Sequence, residues 1–129
     1  MISSAPSSGL RILLVDDDAD ITSTLKRGLE ALGIKVDAFN RPSDVLERDA
    51  RKYDLAVVDI RMPEINGFKL ARELWNQNRD LRVCFLSAFD IIPSEARSTL
   101  PSLKSHCFLT KPMTAGSLAA HIQSHFIAQ

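Results

Sequence analysis

Residues 55–67 read LAVVDIRMPEING: five residues of apolar strand character that close on a carboxylate, Asp59, before a proline and a glycine turn the chain. A run that is apolar throughout, rather than alternating, suits a strand buried on both faces, as in a parallel sheet. A charge at the end of such a strand costs several kcal/mol unless a cation meets it or the position has chemistry to perform.

The pattern repeats on either side. RILLV (11–15), KVDAF (35–39), RVCFLS (82–87) and CFLT (107–110) are further strand candidates. Between them, Ile21, Leu25, Leu29 and Leu32 line one face of a helix over 19–32. Phe68, Ala71, Leu74 and Trp75 do the same over 68–78, and Ala115, Leu118, Ala119, Ile122 and Phe126 over 114–127. Pro42 suits the first turn of a short helix over 42–50, and Gly33 the left-handed cap after the first helix. A helix over 93–100 is expected to stop before Pro101. Parallel neighbours need crossover connections, so the expected class is α/β: a doubly wound, five-stranded parallel sheet in the order 2-1-3-4-5, flavodoxin-like. Ligands then bind outside the carboxyl ends of the strands, at the switch point between the first and third.

At 129 residues the chain holds one domain, over 10–129, behind a Ser-, Pro- and Ala-rich lead-in over 1–9 that is expected to be disordered. Its 16 basic and 16 acidic residues form no block of like charge, so nothing calls for nucleic acid or an anionic membrane surface. No apolar stretch approaches the ~20 residues of a membrane span, and a cytoplasmic location is expected. Cys84 and Cys107 lack metal-binding spacing and read as buried, reduced thiols, with a disulfide as the lesser alternative, while His106, His121 and His125 share no ligand spacing.

The strand ends collect the chemistry. DDDAD (16–20) follows the first strand, Asp59 ends the third, Ser87 the fourth, and Lys111 follows the fifth. In the expected order Asp16, Asp17 and Asp59 fall within a few ångströms of one another, and like charges that close do not all ionise without a cation. Mg²⁺ answers this, since it takes oxygen ligands and commonly binds one or two carboxylates together with phosphate oxygens. Such a site suits phosphoryl transfer: Asp59 as nucleophile, with the metal, Ser87 and Lys111 each on one phosphoryl oxygen. Capping of the first helix is the plainer role for an acid here, and it suits Asp18 or Asp20.

Four segments, ILLVDDD, VVDIRMPEINGF, LSA and LTKP, together resemble the receiver domain of two-component response regulators over nearly the whole chain. The resemblance implies a phosphorylation-dependent switch, not a turnover enzyme. Asp59 would accept a phosphoryl group from a histidine kinase or a histidine phosphotransfer protein. Asp16, Asp17, Asp59 and the backbone carbonyl of Arg61 would hold Mg²⁺, and Ser87 and Lys111 would bind the phosphoryl oxygens. Phe108 takes the place of the family's switch aromatic, turning inward to remodel the face around the fourth helix, fifth strand and fifth helix. Arg61 and Phe89 stand where members screen the acyl phosphate from water. The chain departs from the family at Ile65 and Asn66, where Met-Asp is frequent, and at LPSLKSHC, where Gly-Ala with an acidic residue often precedes the fifth strand.

The output is expected to be contact with an effector protein, by a monomer or by a dimer formed on activation. After Lys111 the remaining chain accommodates one amphipathic helix, so a stand-alone receiver is expected, with a piece of a longer regulator or hybrid kinase left open. Two other readings compete. Asp16-x-Asp18 followed by Ser87 and Lys111 is similar to the set used by haloacid-dehalogenase-type phosphatases, with Asp16 as nucleophile. That reading lacks a later acidic pair and leaves Asp59 unexplained. A non-phosphorylated interaction module is the third, and it gives the full set of pocket residues nothing to do.

Overall fold

The computed structural model describes residues 9–88 and 107–124, with Cys107 given by its backbone alone. Strands β1 (Arg11–Val15), β2 (Lys35–Phe39), β3 (Leu55–Asp59), β4 (Arg82–Ser87) and β5 (Cys107–Thr110) form one sheet. All pairs are parallel and the order is β2-β1-β3-β4-β5, as the strand run anticipates. Helices α1 (Ala19–Ala31), α2 (Pro42–Val45), α3 (Gly67–Gln77) and α4 (Ala115–Ile122) pack on its two faces. The expected helix over 93–100, the lead-in over 1–8, Phe89, His106 and Phe126 lie outside the described residues.

Successive strand residues feed opposite faces. Leu13, Val15, Ala56, Val58, Val83 and Phe85 meet Phe68, Leu70 and Leu74 of α3. Ile12, Leu14, Leu55, Val57, Cys84 and Leu86 meet Leu25 and Leu29 of α1 and Leu118 and Ile122 of α4. All five residues of β3 are buried, which is why that strand shows no alternation. Phe68 and Phe85, with ring centroids 5.0 Å apart, anchor the first face, each worth about 1.5–3 kcal/mol for its burial.

Several boundaries differ from expectation. Leu32 leaves the apolar stripe of α1 and is 52% exposed, because it is the C-cap and the chain turns at Gly33, whose φ is 89°. The helix expected over 42–50 stops at Val45, and a separate 3-10 turn spans Ala50–Lys52. Asp49 starts that turn as its N-cap by accepting the Arg51 backbone N–H. Cys84 stands opposite Cys107 in the β4–β5 register and is disulfide-bonded, which corrects the favoured reading of a reduced thiol and leaves the lesser alternative in its place. Trp75 is a packing residue whose indole N–H donates to the Leu81 carbonyl at 2.7 Å.

Two glycines let backbones approach. A methyl group on Gly28 of α1 would overlap the Cβ of Ala115 at the start of α4. A methyl on Gly67 would overlap the Asp59 carbonyl oxygen and stand 3.0 Å from both Ile60 Cα and Val58 Cγ1. Gly67→Ala therefore presses on backbone rather than on a yielding side chain, with an expected loss of about 1–3 kcal/mol in urea unfolding. A variant as stable as the native chain would show that the turn after β3 has room to spare.

Candidate functional site

The carboxyl end of the sheet gathers the residues in question. β1 delivers Asp16, which is fully buried; its N–H donates to the Phe39 carbonyl at 3.1 Å, and its Oδ1 accepts the Asp18 N–H at 2.9 Å. Asp17 follows and is exposed. Asp18 caps α1 by accepting the backbone N–H groups of Asp20 at 2.9 Å and Ile21 at 3.3 Å. The acidic run is thus divided by role: one buried acid, one facing the pocket mouth, one cap.

β3 delivers Asp59, 4% exposed. The side chains of Asp16, Asp17 and Asp59 each offer an oxygen within 4.8 Å of the others. Lys111 enters from just past β5, its Nζ 2.8 Å from Asp16 Oδ2 and 3.4 Å from Asp59 Oδ1. Its backbone N–H donates to the Ser87 carbonyl at 2.8 Å, which ties the β4 and β5 ends together, and the following bond to Pro112 is cis. Ser87, half-buried, ends β4 one residue beyond Leu86, the register partner of Asp59. Arg61 is exposed in the loop after β3. Phe108 lies in β5 with its ring stacked on Phe85 at a centroid distance of 5.3 Å. Among the described residues, the three aspartates are the one group arranged to hold a metal.

Burial first, and the charge of Asp16 second, push Asp59 up to about 6 against the opposing pull of Lys111. Burial alone would lower Lys111, but its pairings with Asp16 and Asp59 outweigh that and hold it above its ordinary value. Three carboxylates against one ammonium leave an excess of negative charge on hard oxygen donors. That donor set and spacing fit Mg²⁺. Beside Lys111, a largely apolar cavity of about 430 Å³ runs between Ile21, Leu25 and Met113.

The residues read from the sequence, Asp16, Asp17, Asp59, Ser87 and Lys111, do share this edge. Missed were Asn40 and Thr22. The Asn40 side-chain amide donates to the Asp16 carbonyl at 2.8 Å and to the Thr22 hydroxyl at 2.9 Å. No periodicity marks such residues; a polar residue directly after β2, on the strand beside β1, was the available signal.

The sequence matches the response regulator receiver domain family over residues 12–123. It is 32% identical over 119 residues to the response regulator receiver protein CpdR of Brucella abortus, covering 92% of this chain and 98% of that protein. It spans about half the length of several other curated relatives. Among solved structures, TrrA of Thermotoga maritima in complex with Mg²⁺ and BeF is similar at 29% identity and TM-score 0.73, covering 91% of this chain and 99% of that one. The complex of histidine kinase ThkA with TrrA matches with 24% identity and TM-score 0.73, over 91% and 98%.

Proposed function

Since this chain belongs to the response regulator receiver domain family, whose members are signalling switches, we propose that Asp59 accepts a phosphoryl group from a histidine kinase or histidine phosphotransfer protein. The observation that carries this reading is the meeting of Asp16, Asp17 and Asp59 with Lys111 at one sheet edge. Asp59 ends the central strand, and at neutral pH a group titrating near 6 is mostly ionised and able to attack. One of its oxygens forms the new P–O bond as the P–N bond of phosphohistidine breaks, and the bonding pair leaves with the imidazole nitrogen. Lys111 neutralises one phosphoryl oxygen and the Ser87 hydroxyl binds another. Asp16, Asp17 and Asp59, together with the Arg61 carbonyl, would hold Mg²⁺, which would supply further positive charge when bound. The TrrA complex with Mg²⁺ and BeF supports this assignment, and the ThkA–TrrA complex supports a kinase as partner.

The signal leaves through β5. Phe108 packs against Phe85, which lies two residues before Ser87 on β4. Attraction of Ser87 to the phosphoryl group would let Phe108 turn inward and change the surface of β5 and α4 that an effector protein meets. The phosphatase reading is disfavoured by particular contacts: Asp16 is fully buried on Lys111, and the Asp18 carboxylate is occupied capping α1.

Incubation with Mg²⁺ and acetyl phosphate tests the reading, with intact mass as the readout. One added phosphoryl group is expected, and none when EDTA replaces Mg²⁺. An unmodified chain, or catalytic phosphate release that depends on Asp16, would overturn it.

A further inference from the structure

The turn that follows β2 touches the pocket from outside, and its contacts converge on the backbone of one residue, Asp16. Asp16 donates its N–H to the Phe39 carbonyl at 3.1 Å, and its own carbonyl accepts the Asn40 side-chain amide at 2.8 Å. Both backbone polar groups of Asp16 are therefore held by consecutive residues of a neighbouring strand end. The second Asn40 contact, to Thr22 at 2.9 Å, is anchored in turn, because Thr22 is 3% exposed and its hydroxyl donates to the Ala19 carbonyl at 3.2 Å. Asn40 itself is exposed and makes no contact with a carboxylate in this network.

The Asp16 carbonyl and the Asp17 N–H belong to the same planar peptide unit. A hydrogen bond to that oxygen restrains rotation of the unit, and the unit carries the N–H and Cα from which the exposed Asp17 side chain departs. Asp16 has burial and Lys111 to hold its side chain, whereas Asp17 sits at the pocket mouth. We propose that Asn40 is a positioning residue for the acidic pocket, acting through the Asp16–Asp17 peptide to present Asp17 to the metal, with Thr22 as its anchor. This rests on the reading of Asp16 and Asp17 as metal ligands.

Groups behind the ligands of a metal commonly change affinity about 10–100-fold when removed. Asn40→Leu keeps the approximate shape and removes the donor without adding charge; Asn40→Ala removes both. Thr22→Val removes the anchor and leaves Asn40 its bond to Asp16. Mg²⁺ alone is titrated into each variant, binding is followed by backbone amide chemical shifts, and melting temperature is measured separately in EDTA. The expected result is Mg²⁺ affinity weakened about tenfold in both Asn40 variants and less in Thr22→Val, with the Asp17 amide displaced before any metal is added. Native affinity in the Asn40 variants, whatever their melting temperature, overturns the proposal and leaves Asn40 a structural residue. If neither of these Asn40 variants folds, Asn40→Ser, whose shorter side chain withdraws the donor from the Asp16 carbonyl, takes their place, and native affinity in it overturns the proposal. A native chain that takes no Mg²⁺ overturns the functional reading itself, a result distinct from native and variant chains binding alike.

Discussion

Asp59→Asn should abolish the phosphoryl adduct and, in EDTA at neutral pH, raise the melting temperature by a few degrees. The first effect follows from removing the proposed nucleophile. The second follows from the cost of the carboxylate in the metal-free fold, where it is 4% exposed and faces the charge of Asp16. Its value of about 6 lies above the ordinary 3.8, so the folded state holds the proton more tightly than the unfolded chain does. The stability this contributes is complete below about 3.8 and is lost as pH rises through about 6. Asparagine keeps the shape and leaves Lys111 to Asp16 alone. Melting curves at pH 5 and pH 7 in EDTA check the sign: the native chain should lose stability between them, and the variant should lose less. A variant that melts lower at pH 7, or that still gains a phosphoryl group, contradicts the account.

Lys111→Met should be the most damaging single change at this edge. Its ammonium sits 2.8 Å from a fully buried carboxylate, and methionine would leave Asp16 and Asp59 facing each other without it. Breaking a buried pair by removing one partner costs about 3–5 kcal/mol, or roughly 10–20 °C for a chain of this size. Millimolar Mg²⁺ should restore part of the loss, because an ion that binds only the folded state stabilises it by mass action. Differential scanning calorimetry with and without Mg²⁺ separates the two contributions. A Lys111→Met chain that melts within about a degree of the native one in EDTA would show that Asp16 finds another way to carry its charge.

The parts legible from sequence were those that repeat or that stand at strand ends. β3 announced itself because all five residues are buried, and the parallel order then placed Asp16, Asp59 and Lys111 together before any distance was known. What escaped was held by single contacts across the sheet. In EIN (64–66) each residue has a separate reason. Asn66 caps α3 by accepting the Lys69 N–H at 2.9 Å, and Ile65 packs against the core. Glu64 adopts a φ of 77° while its carboxylate reaches back to Arg41 at 3.2 Å and the Ser43 N–H at 3.3 Å. Asn66 was readable as a helix cap. The partners of Glu64, more than twenty residues earlier, depend on how β2 and β3 end relative to each other. Leu32 failed for the opposite reason, since periodicity carries no information about the residue at which a stripe stops.

The contact between Gly28 and Ala115 has a bearing on how related chains diverge. The two positions share a space that admits one Cβ and not two, so enlargement at 28 demands concession at 115 or a wider separation of α1 from α4. In an alignment of relatives the pair should therefore behave as a single character, with size traded between its members. A chain that carries bulk at both positions should seat α4 differently on the sheet.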